Sequence, residues 1–215
     1  MNKTAIVMGA TGLIGNHLTQ LLCQDIHVDK VVTFSRREMP FQHEKLTNHI
    51  INFEKMEDHA ELFKSDYLFS CLGSTLKQSG SVEKQRHIDL DYQFTAASLA
   101  AKNHVPFYLL VSSSGANANS RSTYLKMKGE LEDKVTKLNF QKTAIFQPSL
   151  LMGDRQQQRF AEDLGSALLP LICKLPGLRK YQPIHGKQMA LKMLQVSQQQ
   201  QSALQYLTLK EVFPE

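Results

Sequence analysis

Apolar residues along the chain fall into two alternating rhythms. Short, nearly continuous apolar runs recur at residues 3–8, 30–35, 48–52, 66–72, 107–112 and 142–147, and between most of them apolar positions repeat every three or four residues. Runs of this length bounded by glycine or polar clusters predict strands buried on both faces, and the longer spacing predicts amphipathic helices. The strongest helical candidates are Leu13 to Gln24, Val82 to Asn103 and Tyr124 to Leu138; a helix near 187–196 and a strand near 206–209 complete the pattern. Only the gap between the second and third strands lacks a helical rhythm. The alternation predicts an α/β fold, a doubly wound parallel sheet with helices on both faces. A chain of 215 residues can bury one sizeable core, so a single domain is expected, with residues 150–200 forming a small substrate-side segment.

The first strand runs directly into Gly9, Ala10, Thr11, Gly12, Leu13, Ile14 and Gly15. Glycines at this junction let the chain turn tightly, bring backbone against a pyrophosphate and pack the next helix closely on the sheet. Gly9 suits the turn, Gly12 the close approach and Gly15 the packing. The helix that follows points its free N–H groups at a phosphate. The second strand ends in Ser35-Arg36-Arg37, with no carboxylate before Glu38. In this fold an acidic residue there holds the ribose hydroxyls of NAD, whereas arginine accommodates a 2′-phosphate. The arginines therefore favour NADP(H), with NAD(H) as the alternative. The fourth strand leads into Cys71, Leu72, Gly73, Ser74 and Thr75, where Gly73 would allow backbone to approach the cofactor and Ser74 or Thr75 could donate to it.

A net charge of +5 and a pI near 9.1 raise the question of nucleic acid, but the Lys and Arg residues are scattered and no basic run interleaves with aromatics. The eight histidines show no metal-ligand spacing, and no metal is expected. Cys23, Cys71 and Cys173 lie far apart and read as reduced thiols, which together with an N-terminus lacking a signal-peptide cleavage site predicts a cytoplasmic protein. The longest late apolar stretch, Leu168 to Leu178, is broken by Pro170, Lys174, Pro176 and Gly177 and cannot span a bilayer.

Ser112, Ser113 and Ser114 close the fifth strand, and Tyr124 and Lys128 lie four apart at the start of the next helix, on one face. A phenol with a pKa near 10 is a poor acid–base group at neutral pH, and a nearby ammonium favours its ionised form. Such a tyrosine can give a proton to a carbonyl oxygen or take one from an alcohol, while a serine hydroxyl holds the same oxygen. Ser113 is the favoured serine, with Ser112 next, because the strand should turn outward there.

These motifs, in this order, resemble the short-chain dehydrogenase/reductases of the extended or atypical kind, with G-x-x-G-x-x-G spacing. More narrowly the chain is similar to the Tat-interacting-protein oxidoreductases and their bacterial relatives, through residues 9–15, Ser35–Arg37, Asn52–Lys55, Cys71–Thr75, Asp89–Tyr92, Ser112–Ala116, Tyr124–Glu130 and Gly153–Arg155. The resemblance implies a Rossmann sheet, NADPH at residues 9–15 and Arg36–Arg37, and a Ser-Tyr-Lys site of Ser113, Tyr124 and Lys128. It also implies that Lys128 contacts the nicotinamide ribose, that Pro148, Ser149 and Leu150 lie beside the nicotinamide, and that Arg155 is near the cofactor. Asn52 departs from the Asp common in such proteins after the third strand.

Two functions are then expected. One is reduction of a small, apolar carbonyl or oxidation of an alcohol by hydride transfer. The other is redox sensing, in which NADP(H) binding changes affinity for a regulatory protein partner, since relatives of this kind are linked to transport and transcription factors. A nucleotide-sugar epimerase fits less well, because such enzymes usually carry a longer C-terminal substrate domain. The segment Leu164 to Leu178 reads equally as a lid or as a packed helix.

Overall fold

The computed structural model describes residues 3–152, 182–199 and 202–214. Seven strands form one sheet: β1 (Lys3–Met8), β2 (Val28–Ser35), β3 (Leu46–Ile50), β4 (Tyr67–Ser70), β5 (Phe107–Val111), β6 (Lys142–Gln147) and β9 (Leu204–Thr208). Their order is β3-β2-β1-β4-β5-β6-β9, and every neighbouring pair is parallel. Two short strands, β7 (Leu151–Met152) and β8 (Ile184–His185), pair separately. This is the doubly wound Rossmann arrangement, and the chain order reverses direction between β1 and β4.

Alternation along each strand divides the core into two layers. Ala5 and Val7 of β1, Phe69 of β4, Leu109 of β5 and Phe146 of β6 face α1 (Leu13–Gln24) and α6 (Gly186–Gln198), where they meet Leu18, Leu22, Met189 and Met193. Ile6, Met8, Leu68, Tyr108, Leu110 and Ile145 face the other way. They pack on Met56 and Phe63 near the 3-10 segment Phe53–Leu62, and on Ala96 and Ala100 of α4 (Tyr92–Lys102) and Met127 and Leu131 of α5 (Thr123–Val135). Each fully buried Leu or Phe in these layers contributes about 1.5–3 kcal/mol by leaving water.

The helical rhythm of residues 82–103 resolves into α3 (Val82–Arg86), a π turn at His87–Asp91 and α4, with a short α2 (Leu76–Ser79) before them. A π turn widens the helix by one residue and commonly marks a functional site. Here it carries Asp89 inward, to 1% exposure. The fourth strand stops at Ser70, so Cys71 to Thr75 are already on the loop. Segment 164–178, Cys173 and Arg155 lie outside the described residues.

Candidate functional site

The candidate site residues described by the structure lie just beyond the carboxyl ends of β2, β1, β4, β5 and β6 or in the first turns of the helices that follow, Leu13 to Gly15 in α1 and Tyr124 and Lys128 in α5. From β2 to β5 this carboxyl edge of the sheet spans three inter-strand spacings, roughly 14 Å. Ligands of open parallel sheets bind along this edge, at the point where strand order reverses.

Gly9 has φ +77°, and a Cβ there would lie 2.6 Å from the Cys71 carbonyl oxygen, so both the turn and the approach of β1 to the β4 exit exclude a side chain. At Gly15 a Cβ would lie 2.3 Å from the Gly9 carbonyl oxygen, and the absence of one seats α1 on the loop. Gly12 caps α1 without a side-chain hydrogen bond, and the first turn contains no acidic residue. A Cβ at Gly12 would meet only the Gly9 oxygen, at 3.1 Å, which leaves its outer side clear. Open N–H groups beneath a side-chain-free surface fit a pyrophosphate. Ala10 and Ile14 are core residues, whereas Leu13 is 39% exposed beside the loop.

Arg36 and Arg37 are exposed immediately after β2. Their backbone is fixed from beneath: the Arg37 carbonyl accepts hydrogen bonds from Ser35 Oγ and from Asn48 Nδ2, and Asn48 Oδ1 accepts from Thr33 Oγ1 at 2.8 Å. Asn48 on β3 thus anchors the arginine turn. Asn52 caps the 3-10 segment, its side chain accepting from the Glu54 amide at 3.0 Å. Close by, His87 bridges Asp91 and Glu54 at 3.0 Å each, and the Tyr92 hydroxyl donates to Glu54 at 2.6 Å. The Asp91 hydrogen bond is the largest cause raising the His87 pKa above its ordinary 6.5.

At the β4 exit, Ser74 and Thr75 have structural partners. The Ser74 amide and hydroxyl both donate to Asp89 Oδ2, at 2.9 and 2.7 Å, and Thr75 forms a capping box with Gln78 at the start of α2. Cys71 is half-buried, and desolvation pushes its thiol up to about 12; burial pushes Cys23 to about 11. Thiols so protonated are not nucleophiles at neutral pH. Lys128, only 3% exposed, has Asp89 Oδ1 at 3.2 Å, so the lysine of the site carries its own counter-ion.

The structure sets Ser112 apart from the other two serines. Ser112 is 3% exposed, and its hydroxyl donates to Glu132 on α5. The Ser112 and Ser114 amides donate to the Phe146 and Pro148 carbonyls, each at 2.8 Å. Ser113 lies between them, half-buried, and among the described residues its hydroxyl has no hydrogen-bond partner. Tyr124 is in the first turn of α5, 37% exposed, after a Ser122 cap. Gly129, one residue beyond Lys128, allows the serine loop to cross α5: a Cβ there would lie 2.3 Å from the Ala118 nitrogen. The Asn117 amide ties the same loop to the Leu125 carbonyl at 3.1 Å. Pro148, Ser149 and Leu150 leave β6 beside this loop, and Ser149 Oγ donates to the Gln182 carbonyl at 2.8 Å.

A cleft of about 260 Å³ adjoins the glycine loop, bounded by Leu13, His17, Met152 and residues 185–188. A larger one, about 610 Å³, lies beside the C-terminal ends of α4 and α5, and none of the candidate site residues lines it.

The fold and this ordered edge define an NAD(P)-binding Rossmann protein of the short-chain dehydrogenase/reductase type. The model of the semialdehyde dehydrogenase NAD-binding domain matches residues 4–86. Protein FMP52, mitochondrial, of Candida glabrata is 37% identical over 166 residues, 75% of this chain and 70% of that protein. Protein HTATIP2 of Rattus norvegicus is 34% identical over 165 residues, 75% of this chain and 68% of that one. The chain belongs to the family that contains HTATIP2 and the FMP52 proteins. Among solved structures, a short chain dehydrogenase family protein from Francisella tularensis superposes with a TM-score of 0.72 at 13% identity, covering 96% of both chains. MoeE5 in complex with UDP-glucose and NAD superposes at 0.72 with 14% identity, covering 97% of this chain and 79% of its own. At those identities the likeness is one of fold.

The FMP52 relatives are named mitochondrial, which overturns the cytoplasmic expectation. The physical reason is that separate, unpaired cysteines report a reducing compartment and do not distinguish one such compartment from another. Among the described residues no helix is long and apolar enough to cross a membrane.

Sequence reasoning missed Asp89, Glu132, Gln147 and Asn48 as supports of the site. Glu132 had a readable signal, since Tyr124, Lys128 and Glu132 follow one another at four-residue spacing. Asp89 was marked only as part of the resemblance motif Asp89–Tyr92, with no role read for it, because its inward turn depends on the π segment.

Proposed function

We propose that this protein is an NADP(H)-dependent oxidoreductase that reduces a small, apolar carbonyl or oxidises the corresponding alcohol. The observation that carries the reading is the Ser113 hydroxyl: it is unpartnered among the described residues, held between two amides tied to β6, and lies at the same sheet edge as Tyr124 and Lys128. Gly9 to Gly15 would hold the pyrophosphate, with Gly73 alongside, and Arg36 and Arg37 the 2′-phosphate. Leu72 and Pro148 to Leu150 would flank the cofactor. When bound, the cofactor supplies or accepts the hydride.

The protein's own groups handle the substrate oxygen. Ser113 Oγ donates to it and fixes its position. Tyr124 gives it the phenolic proton during reduction and takes that proton back during oxidation. Lys128 holds the ribose and supplies positive charge near the phenol, while Asp89 pairs with the lysine at 3.2 Å in a buried setting. Structures such as MoeE5 act as precedents for nucleotide-cofactor binding on this fold, not for the substrate.

A panel of aldehydes, ketones and quinones followed by NADPH absorbance tests the reading. Turnover that Tyr124→Phe lowers by roughly 100-fold or more supports it, in line with the contribution of a positioned general acid. A Tyr124→Phe variant with full turnover refutes the assignment. Tight NADPH binding without turnover of any substrate leaves redox sensing through a protein partner as the function.

A further inference from the structure

We propose that Glu132 is a positioning residue that sets the register between the Ser113 hydroxyl just beyond β5 and the Tyr124 phenol on α5. The inference rests on the Ser-Tyr-Lys reading for its functional consequence, and on geometry alone for its structural content. Glu132 follows Tyr124 by eight residues and Lys128 by four, so the three share one face of α5. It is 5% exposed. Its Oε1 accepts from Ser112 Oγ, and Gln147 Nε2 lies 3.0 Å from both Oε1 and Oε2. One carboxylate therefore joins α5, the end of β5 and the end of β6.

The backbone bonds of Ser112 and Ser114 fix the β5 exit against the β6 exit, while the Asn117 amide and the close packing at Gly129 tie the serine loop to the first turns of α5. Glu132 adds a further tie to α5 next to the reacting groups. The choice of a carboxylate is informative. Burying a charged group is costly, and a packing role alone would be met by an apolar residue. What converges on Glu132 is two donors, a hydroxyl and an amide NH₂, and only an acceptor-only group satisfies both from one side chain without presenting a donor of its own. Burial raises its pKa, and the bonds from Gln147 and Ser112 oppose that rise. Sites of this type need their groups within about 0.5 Å of the productive geometry, and a shift of about 1 Å costs roughly 100-fold in rate.

The test is a polarity swap. Glu132→Gln faces the Gln147 NH₂ with a second amide. The double variant E132Q/Q147E restores one acceptor for each donor, because the amide now on α5 accepts from Ser112 and donates to the carboxylate now on β6. Hydrogen exchange of the Ser112 and Ser114 amides is measured in the cofactor-free folded protein, alongside kcat, KM and the calorimetric Kd for NADPH. E132Q is expected to exchange both amides roughly 10-fold faster and to lose roughly 10- to 100-fold in kcat, with KM and Kd within about twofold. The double variant is expected to recover most of both losses. Exchange and kcat unchanged in E132Q, or a double variant no better than E132Q, would overturn the proposal. If E132Q does not fold, Ser112→Ala, which deletes the serine arm alone, is read in its place: faster Ser114 exchange supports the proposal and unchanged exchange overturns it. Absence of turnover in the unmodified protein refutes the oxidoreductase reading and leaves the exchange result to decide the role of Glu132.

Discussion

Lys128 Nζ lies 3.2 Å from Asp89 Oδ1, and both side chains are almost fully withdrawn from water. The ammonium expected to act on Tyr124 is therefore one half of a buried pair whose other half sits on a π turn and also holds the Ser74 amide and hydroxyl. Removing one member of such a pair strands the other as an uncompensated buried charge. Asp89→Ala should lower stability by about 3–5 kcal/mol, measured by urea unfolding, whereas the double variant Asp89→Asn/Lys128→Met should cost less than the sum of its single changes. Additive single effects would mean that the two side chains are not coupled.

The arginine turn makes a prediction about cofactor choice. Charge-assisted hydrogen bonds are worth about 1.5–3 kcal/mol, so Arg36→Ala or Arg37→Ala should weaken NADP binding by roughly 10- to 100-fold while leaving NAD binding nearly unchanged. Asn48→Ala should produce a smaller loss in the same direction, because it releases the Arg37 carbonyl without removing a guanidinium. Calorimetric titration with both dinucleotides decides the matter. Equal losses for the two would refute the 2′-phosphate assignment.

Two glycines with nearly the same φ should behave differently. At Gly80 φ is +80° and a Cβ would meet nothing within 4 Å, so Gly80→Ala carries only the strain of the backbone, about 1 kcal/mol. At Gly9 the same strain is joined by a 2.6 Å clash with the Cys71 carbonyl oxygen, which is backbone and cannot swing aside. Gly9→Ala should therefore lower Tm well beyond Gly80→Ala and abolish cofactor binding. Thermal melts of the pair, with and without NADPH, check both halves.

His87 provides a pH signature. Its hydrogen bonds to Asp91 and Glu54 raise its folded pKa above 6.5, so its protonated form stabilises the fold. That contribution is fully present below the unfolded value, as long as Asp91 and Glu54 remain ionised, and is lost as pH rises through the elevated folded value. The stability difference between the unmodified protein and His87→Gln should be largest near pH 5.5 and shrink toward pH 8. Tyr92 donates to Glu54 throughout this range and does not reverse the sign. A difference that grows with pH would show that His87 is not held as a cation.

Much of the architecture was legible because parallel strands are buried on both faces and betray themselves as continuous apolar runs. The first helix lies at Leu13–Gln24 as its rhythm predicts, and α5 and α6 fall within a few residues of their expected ends. The glycine loop, the arginines after β2 and the Tyr124–Lys128 pair were visible because they are local: each needs only a fixed spacing on one strand–helix junction. What spacing cannot carry is partnership across the sheet. The sequence favoured Ser113 over Ser112 only through where the strand should turn outward, and it was the packing of α5 on β5 that bound Ser112 to Glu132 and left the Ser113 hydroxyl without a partner among the described residues. Likewise Ser74 and Thr75 looked like cofactor donors until the fold gave them Asp89 and Gln78 as partners. The order of strands and helices, and the residue types brought to one edge, could be read from the chain because they follow from burial periodicity and strand direction. Which of those groups are spent on holding the site, and which remain available, was settled only on folding, because a hydrogen bond between residues 20 or 40 positions apart depends on how layers pack.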